Sequence, residues 1–206
     1  TDADYNVAVG YGALSQDTKG SLSVAVGNYT LENQNFTSAT NTYNTAVGNQ
    51  AGNDITTGIQ NTLIGGLAGT KLTDADYNVA VGVGALDLDT KGSKSTAIGY
   101  DALSVQNFTS STDSNNTAVG FNCGLSITTG TLNTLVGSTS GDALTVGITN
   151  VAYGYGSLTS DTAGNRSTAI GYNTLQNQNF SSSTDSYNTA VGFQAGISVT
   201  TGIQNT

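Results

Sequence analysis

Apolar residues in this chain come in short bursts, not in helical faces. A burst reads Val or Thr, then Ala or Leu, then Val or Ile, closed by Gly, as in NTAVG at Asn44–Gly48. An Asn or Ser always precedes it. The motif begins at Asn6, Ser23, Asn44, Asn61, Asn78, Ser95, Asn116, Asn133, Asn150, Ser167, Asn188 and Asn205, the last copy being cut by the chain end. Spacings of 17, 21, 17 and 17 residues recur, so four units make a 72-residue super-unit. Internal periods of this length signal a stacked repeat architecture. The chain reads as one repeat region, 1–206, with super-units 1–72, 73–144 and an incomplete 145–206.

Each burst predicts a strand. Alternate residues of a strand point to opposite faces, so the second and fourth motif positions share one face and the third takes the other. Both faces are apolar, which predicts burial of both. Gly follows in all eleven copies that reach it: Gly10, Gly27, Gly48, Gly65, Gly82, Gly99, Gly120, Gly137, Gly154, Gly171 and Gly192. There the strand is expected to end or bend. Turn signals such as DTKG (Asp17, Asp89) and TTG (Thr56, Thr128, Thr200) come later in the unit. One unit therefore reads strand, Gly bend, short strand, polar turn. Units this short cannot hold helix pairs, and stacked parallel coils are the natural solution. The predicted fold is all-β, a parallel β-solenoid of about 12 coils of 17 or 21 residues. Asn6, Asn44, Asn61, Asn78, Asn116, Asn133, Asn150 and Asn188 would form a hydrogen-bonded ladder along the stack.

Composition narrows the function. Only 9% of residues are charged, the formal net charge is −9, and the five basic residues are Lys19, Lys71, Lys91, Lys94 and Arg166. A nucleic-acid surface needs a basic footprint, so no nucleic-acid partner is expected. No apolar run approaches the roughly 18 residues of a membrane span, so no membrane insertion is expected in this segment. With no His and a single Cys, the commonest general base and any cysteine metal cluster are missing. No enzyme activity, cofactor or metal is expected. The D-x-D pairs Asp2/Asp4, Asp74/Asp76 and Asp87/Asp89 have Ca²⁺-ligand chemistry but read better as solvated turn acids. Cys123 stands in a column of small residues and reads as buried. Sequons at Asn28, Asn35, Asn107, Asn115, Asn165 and Asn179 read as by-products of an Asn-, Ser- and Thr-rich composition. The chain starts and stops inside repeat units and reads as an excerpt of a longer fibre.

The unit N-[VT]-A-[VI]-G-x-x-[AST] resembles the head repeat of YadA-type trimeric autotransporter adhesins, and is similar to NTAVGxQAG…TTG arrays of bacteriophage tail fibres. The resemblance covers the whole chain, although these units are longer and one in four carries four extra residues. It implies a left-handed β-roll packed side by side as a homotrimer, extracellular, on a cell or virion surface. The 21-residue unit (Gln34–Asn44, Gln106–Asn116, Gln178–Asn188) supplies candidate surface-binding loops. Their candidate contact residues are Phe36, Phe108 and Phe180 with Asn35, Asn107 and Asn179, facing a host-surface glycan or protein. The alternative for each Phe is packing within its coil or against a neighbouring chain. The expected function is a structural and adhesive fibre segment. Rival readings are a subunit that joins end to end into an extracellular filament and an ice-binding solenoid, separable by mass growth with concentration and by thermal hysteresis.

Overall fold

The computed structural model describes residues 2–206. Eleven three-residue strands, from Val7–Val9 to Thr189–Val191, form one parallel sheet in which each strand pairs with the next in the chain. The protein is an all-β parallel β-solenoid of about eleven turns, with no helix among the described residues. Ala8 lies opposite Ala25 at an offset of 17, and Ala25 opposite Ala46 at an offset of 21. The four extra residues thus never disturb the sheet register. The twelfth motif copy adds no strand: the Asn205 backbone N–H docks on Asn188 Oδ1 at 2.9 Å and the chain stops.

The middle residue of each strand points inward. From Ala25 to Ala169 this column of Ala and Leu is completely buried. The flanking residues point outward, so within one chain only one of the two faces expected to be buried is covered. Val47, Ile64, Ile98 and Ile170 stay 37–40% exposed. A coil of 17 or 21 residues closes around one narrow core, and among the described residues no other part of the chain covers its outside.

A regular second strand in every unit is also not observed. The reason is a set of sharp corners. Among the described residues, all 26 non-glycine residues with positive φ fall in three columns: the residue before the Asn or Ser, and the second and fourth residues after the Gly. In one coil these are Lys94, Asp101 and Leu103, with φ of 63°, 51° and 51°. So frequent a reversal interrupts any extended run. Backbone groups between the corners still bond coil to coil, as in Leu31 N–H to Ala51 O (3.1 Å) and Gly52 N–H to Ala68 O (2.9 Å). Pairing above and below offsets a conformational cost of about 1–2 kcal/mol per L-residue. Thr149 is exposed, β-branched and held at φ 59°. Thr149→Gly keeps the N–H to Thr131 O bond (3.0 Å) and is expected to stabilise the coil by roughly 0.5–1 kcal/mol. A raised urea midpoint would show it; a lowered one would mean the side chain contributes more than the strain.

Core volume is exchanged between columns. Four residues after the strand Gly stands Leu in the first two units of each super-unit (Leu86, Leu103) and Gly in the others (Gly124, Gly141). A Cβ on Gly124 would lie 3.0 Å from Leu103 Cδ2 and from Leu135 Cδ1, and 3.2 Å from Ile127 Cδ1. Three residues further on, the Leu units carry Asp89 and Gln106, while the Gly units carry Ile127 and Leu144. Apolar bulk therefore sits at one position or the other, and the Leu units have room for polar groups inside.

Candidate functional site

The long unit absorbs its extra residues outside the main sheet. Two-residue strands pair in parallel beneath the loop: Gly20–Ser21 with Thr40–Asn41, Gly92–Ser93 with Thr112–Asp113, and Gly164–Asn165 with Thr184–Asp185. The tips, residues 37–39, 109–111 and 181–183, are exposed and are Ser or Thr apart from Ala39. Phe36, Phe108 and Phe180 do not project from them. Only 6–7% of each Phe is exposed, so of the two readings of these rings the packed one is what the chain shows. A Cβ on Gly92 would stand 2.8 Å from Phe108 Cδ2, so glycine makes room for the ring. Asn35, Asn107 and Asn179 are exposed, and their Oδ1 atoms accept from Thr18, Thr90 and Thr162 hydroxyls at 3.1–3.2 Å.

A buried polar network lies under each ring. Asp89 Oδ1 accepts the N–H groups of Gly92 (3.0 Å) and Phe108 (3.2 Å), and Oδ2 accepts Gln106 Nε2 (2.5 Å). Gln106 Oε1 accepts Asn116 Nδ2 at 2.8 Å, and the Ser95 and Ser114 hydroxyls meet at 2.6 Å. The same constellation recurs around Asp17, Gln34 and Asn44 and around Asp161, Gln178 and Asn188. Asp89 is fully buried, so the reading of the Asp87/Asp89 pair as solvated turn acids is corrected for Asp89. Its oxygens are met by a donor from its own turn, Gly92, and by two from the start of the long loop, Gln106 and Phe108. Asp76 and Asp87 are partly buried, and that burial lifts both carboxyl groups above their ordinary range. Among the described residues no group of three or more His, Cys, Asp or Glu could hold a metal.

The Asn column bonds mainly through the backbone. Each Asn Oδ1 accepts the N–H of the next coil's Asn or Ser, as in Asn61 N–H to Asn44 (2.9 Å) and Ser95 N–H to Asn78 (2.9 Å). Each Nδ2 donates to a carbonyl 14 residues ahead, such as Asn61 to Ala75 O and Asn78 to Gly92 O. Direct amide-to-amide bonds occur at four junctions, at 2.9–3.4 Å. Ser replaces Asn where Gln106 or Gln178 reaches the column, since Nε2 then donates to the Ser95 or Ser167 hydroxyl. A second ladder was missed in the sequence. Thr73 Oγ1 donates to Thr90 O, and Thr145 Oγ1 to Thr162 O. Its signal was available: the thirteenth residue of each unit is Thr, or Asn in the long units.

The outer sheet face is an apolar stripe. Beside the outward Val and Ile run aromatic residues that follow the strand Gly. Tyr100 stacks on Phe121 (5.4 Å between centroids), and, beyond Ser138, Tyr155, Tyr172 and Phe193 form a second stack at 5.4 and 5.3 Å. Interplanar angles are 8–13°, so neighbouring rings cover each other's faces along the rod and their edges meet solvent. Four of the five basic residues are in ion pairs: Lys71–Asp54, Lys91–Asp74, Lys94–Asp113 and Arg166–Asp185. Exposed pairs of this kind add little stability, and they leave no basic patch on the stripe.

Cys123 is fully buried, its Sγ within 3.3 Å of Leu135 O. Burial pushes the thiol up to about 12 from 9.0. The folded chain is therefore expected to resist thiol reagents at pH 8 and to react after unfolding in urea. Because the folded value is the raised one, any stability the neutral thiol supplies is complete below pH 9 and declines as pH rises toward 12. Rapid labelling of the native chain at pH 8 would contradict the burial. No family model, curated protein or solved structure matches this chain.

Proposed function

We propose that this chain is a structural segment of an extracellular trimeric fibre, an adhesin or tail-fibre shaft, that carries the long-unit loops along its length. The observation that carries this reading is the exposed outer sheet face. Even on interior strands Val47, Ile64, Ile98, Tyr153 and Ile170 are 37–59% exposed there, and Tyr and Phe edges lie alongside part of the stripe. An apolar stripe continuous over eleven strands is larger than isolated soluble chains usually leave bare. Side-by-side packing of three identical chains would cover it, as the resemblance to adhesin head repeats implies. The reading assigns no catalysis. A receptor approaching the loops would meet Asn amides and Ser or Thr hydroxyls, because the Phe rings are turned inward.

Light scattering on the purified chain tests the proposal. The expected mass is three times 20.8 kDa. A monomer at all concentrations would overturn it, and mass that grows without limit would favour the end-to-end filament. Replacing Ile98, Tyr153 and Ile170 together by Lys is expected to shift the trimer to monomer without loss of strand content, because all three side chains face outward.

A further inference from the structure

The six sequons are equivalent as sequence but not as structure. An N-linked sugar needs an accessible Asn Nδ2 and a free hydroxyl two residues later. At Asn28 the hydroxyl is lost: Thr30 is fully buried and donates to Gly48 O at 2.7 Å. At Asn165 the amide is lost, since it is 4% exposed and its Nδ2 donates to Ser183 Oγ at 3.0 Å. At Asn115 the Nδ2 is engaged with Asp113 O at 2.9 Å. Asn35, Asn107 and Asn179 differ in every respect. Each is exposed, as are Thr37, Thr109 and Ser181 two residues later. Their Oδ1 atoms accept a Thr hydroxyl from the preceding coil, which orients the amide, while Nδ2 donates to no protein group among the described residues. The intervening Phe is anchored inside and turns both flanking side chains outward.

We infer that Asn35, Asn107 and Asn179 are acceptor sites for N-glycosylation of the folded chain, one in each super-unit. The donor is a nucleotide-activated sugar delivered by a sequon-recognising glycosyltransferase. In the transfer, Asn Nδ2 attacks the anomeric carbon. The N–C bond forms, the bond from that carbon to the diphosphate oxygen breaks, the nucleoside diphosphate leaves and Nδ2 gives up one proton. Sites four coils apart lie roughly 19 Å from one another along the rod, far enough for each to carry its own sugar. The inference does not depend on the trimer, since it uses only contacts within one chain.

The test is to incubate the folded chain with a soluble asparagine glucosyltransferase and UDP-glucose, and to read intact mass and peptide maps. Three hexose increments are expected, on Asn35, Asn107 and Asn179. Thr109→Ala should remove the increment on Asn107 alone, and its exposed hydroxyl makes that variant safe for folding. Tryptic peptides carrying Asn107, treated with the same enzyme, establish that the enzyme is active. No increment on the folded chain while those peptides are modified would overturn the inference. Equal modification of Asn28 or Asn165 in the folded chain would overturn it as well.

Discussion

Gly120→Ala is expected to destabilise the solenoid by about 3–5 kcal/mol. Two causes add. Gly120 has φ +145°, outside the range of L-residues, and a Cβ there would lie 2.5 Å from the Gly137 carbonyl oxygen of the next coil. That oxygen is backbone within a ladder and cannot step aside without opening the coil contact. Gly192 separates the two causes. Its φ is +129°, but a Cβ would meet nothing closer than Ala195 Cβ at 3.9 Å. Gly192→Ala should therefore lose only the conformational part, about 1–2 kcal/mol. Urea titrations followed by circular dichroism compare the two. Equal losses would show that the positive φ alone, not the close approach of coils, dictates the glycine column.

The second large effect is expected at Gln106. Gln106→Leu removes the donor to Asp89 Oδ2 and the acceptor for Asn116 Nδ2, both buried. A buried carboxylate robbed of one of its three donors, with one of the two N–H groups of the Asn116 amide left without an acceptor, should cost about 3–4 kcal/mol. The loss should be local first, because Asp89 also holds the Phe108 N–H at the base of the loop. Limited proteolysis is expected to nick residues 109–111 in the variant before the equivalent residues 181–183, where Gln178 is intact. If both loops are cut at the same rate, the network does not hold the loop in place.

These predictions recast what the long unit is. Its extra residues do not carry an outward aromatic contact. They bring Phe108 and Gln106 back over Asp89, so loop and polar core form a single device repeated in each super-unit. What remains outward is a row of amides and hydroxyls. The candidate adhesive surface and the glycan acceptor sites therefore share the same tips, and a sugar on Asn107 would shield its own loop.

Much of this was readable in the chain alone. The period fixes which residue lies above which, because stacked coils turn a one-dimensional repeat into columns. From it follow the parallel sheet, the Ala and Leu column, the glycine column and the place of the Asn column. The Thr ladder was readable by the same rule at the thirteenth position. Other features depend on distances between columns, which no spacing states. Whether the outer face is covered depends on how wide a coil closes. Whether Phe108 points in or out depends on the space left by Gly92. Whether Asp89 is solvated depends on a Gln from the next coil meeting it. The corners at Lys94, Asp101 and Leu103 have positive φ with side chains that do not advertise it. Sequence determined the stacking, since that is a matter of phase; tertiary structure decided inside and outside, since that is a matter of cross-section.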